Sequence, residues 1–209
     1  MELTIITPCM RPHFLSKLYE SINFDKITKW IIVYDTSKNI KFAKQFSTNP
    51  KILEIECNKQ TYGAGCKRMK ALKLVTSGFV YFLDDDNIIH PNFWNILQKA
   101  ELDKFYTWNC DVIYNNSVYY GNQCKVMTID TSQILVPINI IGDTIWKDGY
   151  CADGLFIQEI YNNNPEKLCY INEIGSYYNY ITKKAWNGDA KFVEKNKYKY
   201  IDELHYQKV

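Results

Sequence analysis

Phe82-Leu83-Asp84-Asp85-Asp86-Asn87 sets three consecutive carboxylates directly behind an apolar run. Three like charges side by side repel one another, and a cation among them relieves that repulsion. A hard divalent ion, held by one or two of these carboxylates and otherwise by phosphate oxygens of a substrate, is the chemistry such a triplet serves. An ion there would neutralise charge developing on a departing diphosphate. The competing reading is a solvated acidic turn, or aspartates set against the positive end of a helix dipole. The position at the close of a buried strand favours the metal.

A second cluster is Tyr62-Gly63-Ala64-Gly65-Cys66-Lys67-Arg68. Glycines let backbone approach a ligand closely, and a following helix N-terminus with two cations attracts an anion. The spacing fits neither the Walker loop nor the dinucleotide fingerprint. A plain tight turn with a solvated basic face, continued by Lys70 and Lys73, is the alternative. Asp35, in Asp35-Thr36-Ser37, could accept hydrogen bonds from a base or ribose, or simply start a turn. Asp153, in Ala152-Asp153-Gly154, is a carboxylate late in the chain that could act as a general base or only as a helix cap. His13, His90 and His205 show no metal spacing.

These side chains need a frame that brings them together. Leu3–Thr7, Trp30–Tyr34, Ile52–Ile55 and Phe79–Leu83 are short apolar runs that read as strands, buried on both faces. Helical spacing follows Pro12 (Phe14, Leu15, Leu18, Ile22), Gly65 (Met69, Leu72, Val75) and Pro91 (Phe93, Trp94, Leu97, Ala100). Strands alternating with helices predict βαβ units and a mostly parallel sheet, whose carboxyl edge would gather Pro8–Arg11, Asp35–Ser37 and Asp84–Asn87. Beyond Tyr106 the pattern is less regular. Tyr114–Tyr120 and Val126–Ile129 read as short strands, Gln133–Ile141 as an apolar segment, Gly154–Ile160 as a helix, and Asp189–Val209 as a Lys/Tyr-rich helical tail. No repeat or linker divides the 209 residues, so one domain with a lobe for each of two ligands is expected.

Composition narrows the function. With 25 Lys+Arg against 23 Asp+Glu the net charge is +2, which lacks the dominant basic field of a non-specific nucleic-acid binder. Hydrophobic residues are 46% of the chain, which excludes wholesale disorder. No apolar run is long enough to span a bilayer, and the N-terminus has no basic segment of a secretory leader. Seven scattered cysteines without a C-x-x-C pair read as reduced thiols of a cytoplasmic protein.

In this order, Thr4-Ile5-Ile6-Thr7-Pro8 with Arg11, then Ile32-Val33-Tyr34-Asp35-Thr36-Ser37, then Gly63 through Leu72, then Phe82 through Asn87 resemble nucleotide-sugar glycosyltransferases of the GT-A fold, family 2-like members in particular. The resemblance covers the first half of the chain. It implies an α/β fold of GT-A type, with a Rossmann-like, mostly parallel sheet flanked by helices and a smaller mixed acceptor-side lobe. Residues 1–105 would bind the nucleotide sugar and 106–209 the acceptor, within one domain spanning 1–209.

Carried onto this sequence, the resemblance has Thr7, Pro8 and Arg11 line the nucleotide pocket while Asp35 holds the base. Gly65, Lys67 and Arg68 would contact the nucleotide or diphosphate. Asp84 and Asp85 would approach the nucleotide, and Asp84 with Asp86, as the D-x-D element, would ligate Mn2+ or Mg2+. Asp153 would be the catalytic base of an inverting transfer, with Asp148 and Glu159 as rivals; Ala152 stands where many relatives have a second acid. The implied donor is a UDP-sugar of a glucose-like hexose or deoxyhexose, and the acceptor a glycan or glycoprotein. The chain lacks the late Gln/Arg-x-x-Arg-Trp element and membrane helices of processive synthases, which implies single transfer. Its Lys/Asn/Tyr/Ile-rich composition also resembles glycosyltransferases encoded by large DNA viruses, which act in host cytoplasm. Two rivals stand beside this reading. A sugar-phosphate nucleotidyltransferase would need a long Gly-rich signature where Pro8-Cys9-Met10-Arg11-Pro12 stands. An inactive sugar-binding module would have no use for the intact acidic triplet.

Overall fold

The computed structural model describes residues 2–37, 44–59, 64–113, 115–147, 149 and 151–181. Its strands are β1 (Leu3–Cys9), β2 (Lys29–Asp35), β3 (Ile52–Cys57), β4 (Phe79–Phe82), β5 (Phe105–Val112), β6 (Ser117–Tyr119), β7 (Ile134–Pro137) and β8 (Leu168–Tyr177). Its α-helices are α1 (Leu15–Ser21), α2 (Gly65–Leu72), α3 (Phe93–Gln98), α4 (Ile138–Ile141) and α5 (Ala152–Asn163). The strand order is β3-β2-β1-β4-β7-β5-β6, with β8 paired to β5. β1 to β4 are parallel, β7 enters antiparallel to β4, and β5 is antiparallel to β7, so β5 and its parallel neighbour β8 run with the first four. Tyr106 pairs with both Leu135 and Cys169, and Cys110 with both Tyr119 and Ser176. β7 and β6 therefore share one edge of β5 while β8 takes the other.

The apolar runs are continuous because the sheet is covered on both faces. Alternate residues of each strand enter different cores. Leu3, Ile5, Trp30, Ile32, Phe79 and Tyr81 pack with Leu15 and Leu18 of α1 and Phe93, Ile96 and Leu97 of α3. Ile6, Ile31, Val33, Val80 and Phe82 pack on the other face with Ala71 and Leu72 of α2, Ile140 and Ile141 of α4, and Phe156, Ile157 and Ile160 of α5. This is the α/β architecture expected, a mostly parallel sheet flanked by helices.

The second half departs from the sequence reading in several places. Val126–Ile129 is a turn rather than a strand: Met127 takes a left-handed φ of 69° and Thr128 Oγ1 donates to the carbonyls of Gln123 and Lys125. The strand expected over Tyr114–Tyr120 is only Ser117–Tyr119, and Tyr114 lies outside the described residues. Gln133–Ile141 splits at Pro137, where β7 gives way to α4. β5 and β8, the sheet's most extensive pair, carried no apolar run to announce them. Trp94 and Met69, expected to face inward, are only half-buried. The 189–209 tail lies outside the described residues. All seven cysteines are free thiols, and no helix among the described residues is long and apolar enough to cross a membrane.

Candidate active site

β1, β2 and β4 lie side by side and parallel, so their carboxyl ends open on one edge. Met10 and Arg11 leave β1 there, Asp35 closes β2, and Leu83–Asn87 follow β4, with Leu83 N–H donating to the Ile6 carbonyl (3.0 Å). α2 starts behind the same edge and directs two cations into it. Neither is the solvated basic residue that the bland reading allowed: Lys67 is 1% exposed and Arg68 4%.

Lys67 Nζ meets Asp35 Oδ2 at 2.8 Å, and Ser37 N–H donates to Asp35 Oδ1 at 2.9 Å. Burial alone would raise the Asp35 pKa, but the Lys67 and Ser37 hydrogen bonds outweigh it and hold the carboxyl below its ordinary value.

The three consecutive aspartates have three different jobs. Asp85, 1% exposed, is consumed by the strand end beside it. Its Oδ2 accepts from the amides of Met10 and Arg11 (both 2.6 Å), and its Oδ1 accepts from Arg11 Nε (2.9 Å) and Nη2 (2.5 Å). The Arg11 fork also reaches Asp86 Oδ2 at 3.0 Å. Asp84 turns the other way, to Arg68 Nη2 at 2.6 Å and Thr131 Oγ1 at 3.5 Å. Behind the triplet, Asn87 donates to the Tyr177 carbonyl (2.6 Å) and accepts from Tyr180 N–H (3.3 Å), while Ile181 N–H donates to the Asp86 carbonyl (2.8 Å). The end of β8 thereby braces the acidic loop.

Arg68 joins the two halves of the chain. Its Nη1 reaches Asp153 Oδ1 at 3.1 Å, in the first turn of α5, and its guanidinium carbon lies 4.5 Å from the centre of the Trp146 ring. Trp146 in turn stacks on Phe156 of α5, centroids 4.1 Å apart and planes at 10°. Burial would lower the Arg68 pKa, yet Asp84 and Asp153 raise it, so the guanidinium is a fixed positive charge. Its Nε, also buried, has no hydrogen-bond partner among the described residues.

Asp130, which the sequence did not single out, completes this group. It caps the turn before β7, accepting from Ser132 N–H and Oγ–H at 2.9 and 2.8 Å, while Gln133 closes a reciprocal capping box. Burial pushes its pKa up to about 7, helped by the negative charges of Asp153 and Asp84. Burial also raises Asp153; Arg68 pulls it down and Asp84 adds to the rise. Asp-x-x-Gln was a legible cap, but nothing local tied it to Asp84. Trp146 was missed for the same reason.

Asp84 and Asp86 present hard carboxylate oxygens at this edge, and the surplus negative charge that Asp84, Asp153 and Asp130 leave over the Arg68 guanidinium fits Mn2+ or Mg2+ completing its shell with phosphate oxygens and water. No group of three or more His, Cys, Asp or Glu among the described residues is arranged to hold a metal by itself. Of the remaining expected residues, Thr7 is fully buried with Oγ1 accepting from Trp30 Nε1 (2.9 Å), Pro8 is internal to β1, and Gly65 opens α2. Glu159, a rival base, sits further along α5 facing Lys147 at 3.2 Å. Asp148, the other rival, and Gly63 lie outside the described residues. A cavity of about 730 Å³ opens beside Asp130, Asp153 and Gly154.

The fold is that of the GT-A glycosyltransferases. S. aureus TarS 1-349 superposes with a TM-score of 0.64 at 15% identity over 85% of this chain, and its complex with UDP-GlcNAc with 0.63. The mannosyltransferase PcManGT from Pyrobaculum calidifontis, in complex with GDP-Man and Mn2+, superposes with 0.57 at 12% identity over 84% of the chain. The chain spans 60%, 58% and 56% of these proteins' own lengths, respectively. No protein-family model and no curated protein matches the sequence.

Proposed function

We propose that this protein is a metal-dependent glycosyltransferase that moves one hexose or deoxyhexose from a UDP-sugar to a hydroxyl of a glycan or glycoprotein, with inversion, within a single domain. The observation that carries the reading is the Asp84–Arg68–Asp153 chain, which places a carboxylate of the strand-end triplet and a carboxylate of α5 on the two sides of one buried guanidinium. TarS 1-349 complexes with UDP and UDP-GlcNAc and the PcManGT complex with GDP-Man and Mn2+ support it by analogy of fold.

In this reading Asp35 and Lys67 hold the nucleoside end. Arg68, whose Nε–H has no partner among the described residues, donates to the diphosphate and stabilises the charge that grows as UDP leaves. Asp84 with Asp86 would hold the Mn2+ or Mg2+, which when bound neutralises the leaving diphosphate. Asp153 accepts the proton of the attacking hydroxyl, its raised pKa making it a better base than an ordinary aspartate. Arg11 and Asp85 keep the triplet in place, and Thr7 and Pro8 shape the pocket floor through the backbone.

Asp153→Asn is expected to lower transfer by about 10²- to 10⁴-fold while leaving UDP affinity within a factor of about two. Calorimetric titration of UDP with Mn2+, product formation from UDP-sugars, and the anomeric coupling of the product by NMR check the three parts. Retention of configuration removes Asp153 as base. Release of pyrophosphate from sugar phosphate and nucleoside triphosphate would instead identify a nucleotidyltransferase.

A further inference from the structure

We propose that the cavity beside Asp153 is an acceptor subsite built for an uncharged sugar ring, with Tyr119, Tyr178 and Met127 as its apolar wall, and that it rejects phosphorylated acceptors. The inference rests on the glycosyltransferase reading above and adds the chemical class of the second substrate.

The wall consists of side chains a fold would ordinarily bury. Tyr119 is 39% exposed and Met127 71% exposed, and both line the cavity. Tyr119 and Tyr178 meet edge to face, centroids 5.2 Å apart and planes at 68°, which fixes both rings. Met127 sits on the left-handed turn at φ 69°, and Cys151 Sγ–H donates to its sulfur at 3.2 Å. A sugar offers such a wall the C–H face of its ring, while its hydroxyls need hydrogen-bonding groups around the rim. Asn122 and Gln123 supply them on the same cavity.

Charge decides which sugar. The described lining residues include two carboxylates, Asp130 and Asp153, and no Lys or Arg. The nearest guanidinium, Arg68, is already shared between Asp84 and Asp153. A phosphate carried on the acceptor would meet the Asp153 carboxylate and, above pH about 7, that of Asp130 as well, with no Lys or Arg among the described lining residues to answer it, so the site discriminates by repulsion as well as by stacking. A neutral ring has nothing to lose there.

The test is binding of probe sugars to the whole chain without donor, by saturation-transfer NMR and calorimetry. The probes are methyl α-glucoside, methyl α-mannoside and N-acetylglucosamine, each paired with its 6-phosphate. At least one neutral sugar is expected to bind in the millimolar range, with its 6-phosphate about tenfold weaker or worse. Tyr119→Ala with Tyr178→Ala should weaken the neutral sugar about tenfold, whereas Tyr119→Phe, which keeps the ring, should not. Gln123→Lys, on the exposed wall, should narrow or reverse the preference against the 6-phosphate. The proposal is overturned if no neutral sugar binds, if the 6-phosphates bind the wild-type chain as tightly, or if Gln123→Lys leaves the preference unchanged. Because these titrations contain no nucleotide, a failure of UDP binding or transfer would count against the proposed reaction and not against the wall.

Discussion

Arg68 reaches Asp84 and Asp153 from the buried side of α2, and Asp130 stands near enough to feel both, so three carboxylates share one guanidinium. Their mutual repulsion has a consequence for stability. The Asp130 carboxyl, at about 7 in the folded chain against 3.8 ordinarily, binds a proton more tightly when folded. Its contribution is therefore fully present below the unfolded value and is lost as pH rises through about 7. In metal-free buffer Asp130→Asn, whose amide oxygen can keep the Ser132 cap, should raise Tm most near pH ~8, by less near pH ~5.5 and by little near pH ~4. His90 works in the opposite sense. Burial lowers its pKa from 6.5, against a smaller upward pull from Asp111, so the stability it contributes is lost as pH falls below 6.5. The variant-minus-wild-type difference isolates Asp130, and thermal melts across this range measure it. A difference independent of pH would mean the carboxylates are not coupled. Added Mn2+ should shrink the difference near pH ~8, because a cation held by Asp84 and Asp86 relieves the repulsion that raises the Asp130 carboxyl.

Among the elements, α5 positions Asp153, and it does so by lying directly on the 125–127 turn. A Cβ at Gly154 would stand 2.8 Å from Val126 Cα and 3.1 Å from Met127 N, backbone that cannot swing aside. Gly154→Ala should lift the first turn of α5, cost about 1–3 kcal/mol of stability, and lower transfer by about tenfold or more through misplacement of Asp153. Steady-state kinetics with calorimetric UDP binding check it: a drop in kcat with UDP affinity retained fits, whereas unchanged kcat refutes the positioning. The elements differ in how far their sequences announce them. β1, β2 and β4 are legible because burial on both faces makes their runs mostly apolar, with Thr4 and Thr7 the buried polar exceptions in β1. β5 reads Phe-Tyr-Thr-Trp-Asn-Cys-Asp-Val and hides, because it buries Thr107 and Asn109. Asn109 Oδ1 is satisfied there by Tyr170 Oη–H (2.7 Å) and Gly121 N–H (3.3 Å), partners distant in sequence. β8 hides as well, since its middle, Asn172-Glu173, is exposed. At the edge, Asp35, Asp84 and Lys67 could be read from strand ends and a glycine turn. The private role of Asp85 and the membership of Asp130 could not, because Asp85 is set by hydrogen bonds 74 residues away and Asp130 by the charges of Asp153 and Asp84, on elements remote from it in the chain.

Over the whole molecule, the acidic loop after β4 is the junction on which both halves of the sheet bear. Arg11 ties it to β1 through Asp85 and Asp86, Arg68 ties it to α2 and α5, and Asn87 ties it to Tyr177 at the end of β8 and to Tyr180 just beyond. The last tie reaches the aromatic wall of the cavity, because Tyr178 belongs to the segment that Asn87 clasps. Asn87→Ala removes two hydrogen bonds from that segment, each worth about 0.5–1.5 kcal/mol. The Tyr180 amide, which Asn87 Oδ1 accepts from, should then exchange with solvent about tenfold faster. The Leu83 amide, held by Ile6 across the strand pair, should keep its protection. UDP affinity should persist while binding of neutral sugars weakens, since the rings of Tyr119 and Tyr178 lose their fixed relation but Asp35, Lys67 and Arg68 do not move. Hydrogen exchange read by NMR settles it. Equal acceleration at Leu83 and Tyr180 would mean that Asn87 supports the sheet as a whole, and unchanged exchange at Tyr180 that the segment is held without Asn87, as by Tyr178 N–H on the Asp111 carbonyl of β5 and Ile181 N–H on the Asp86 carbonyl.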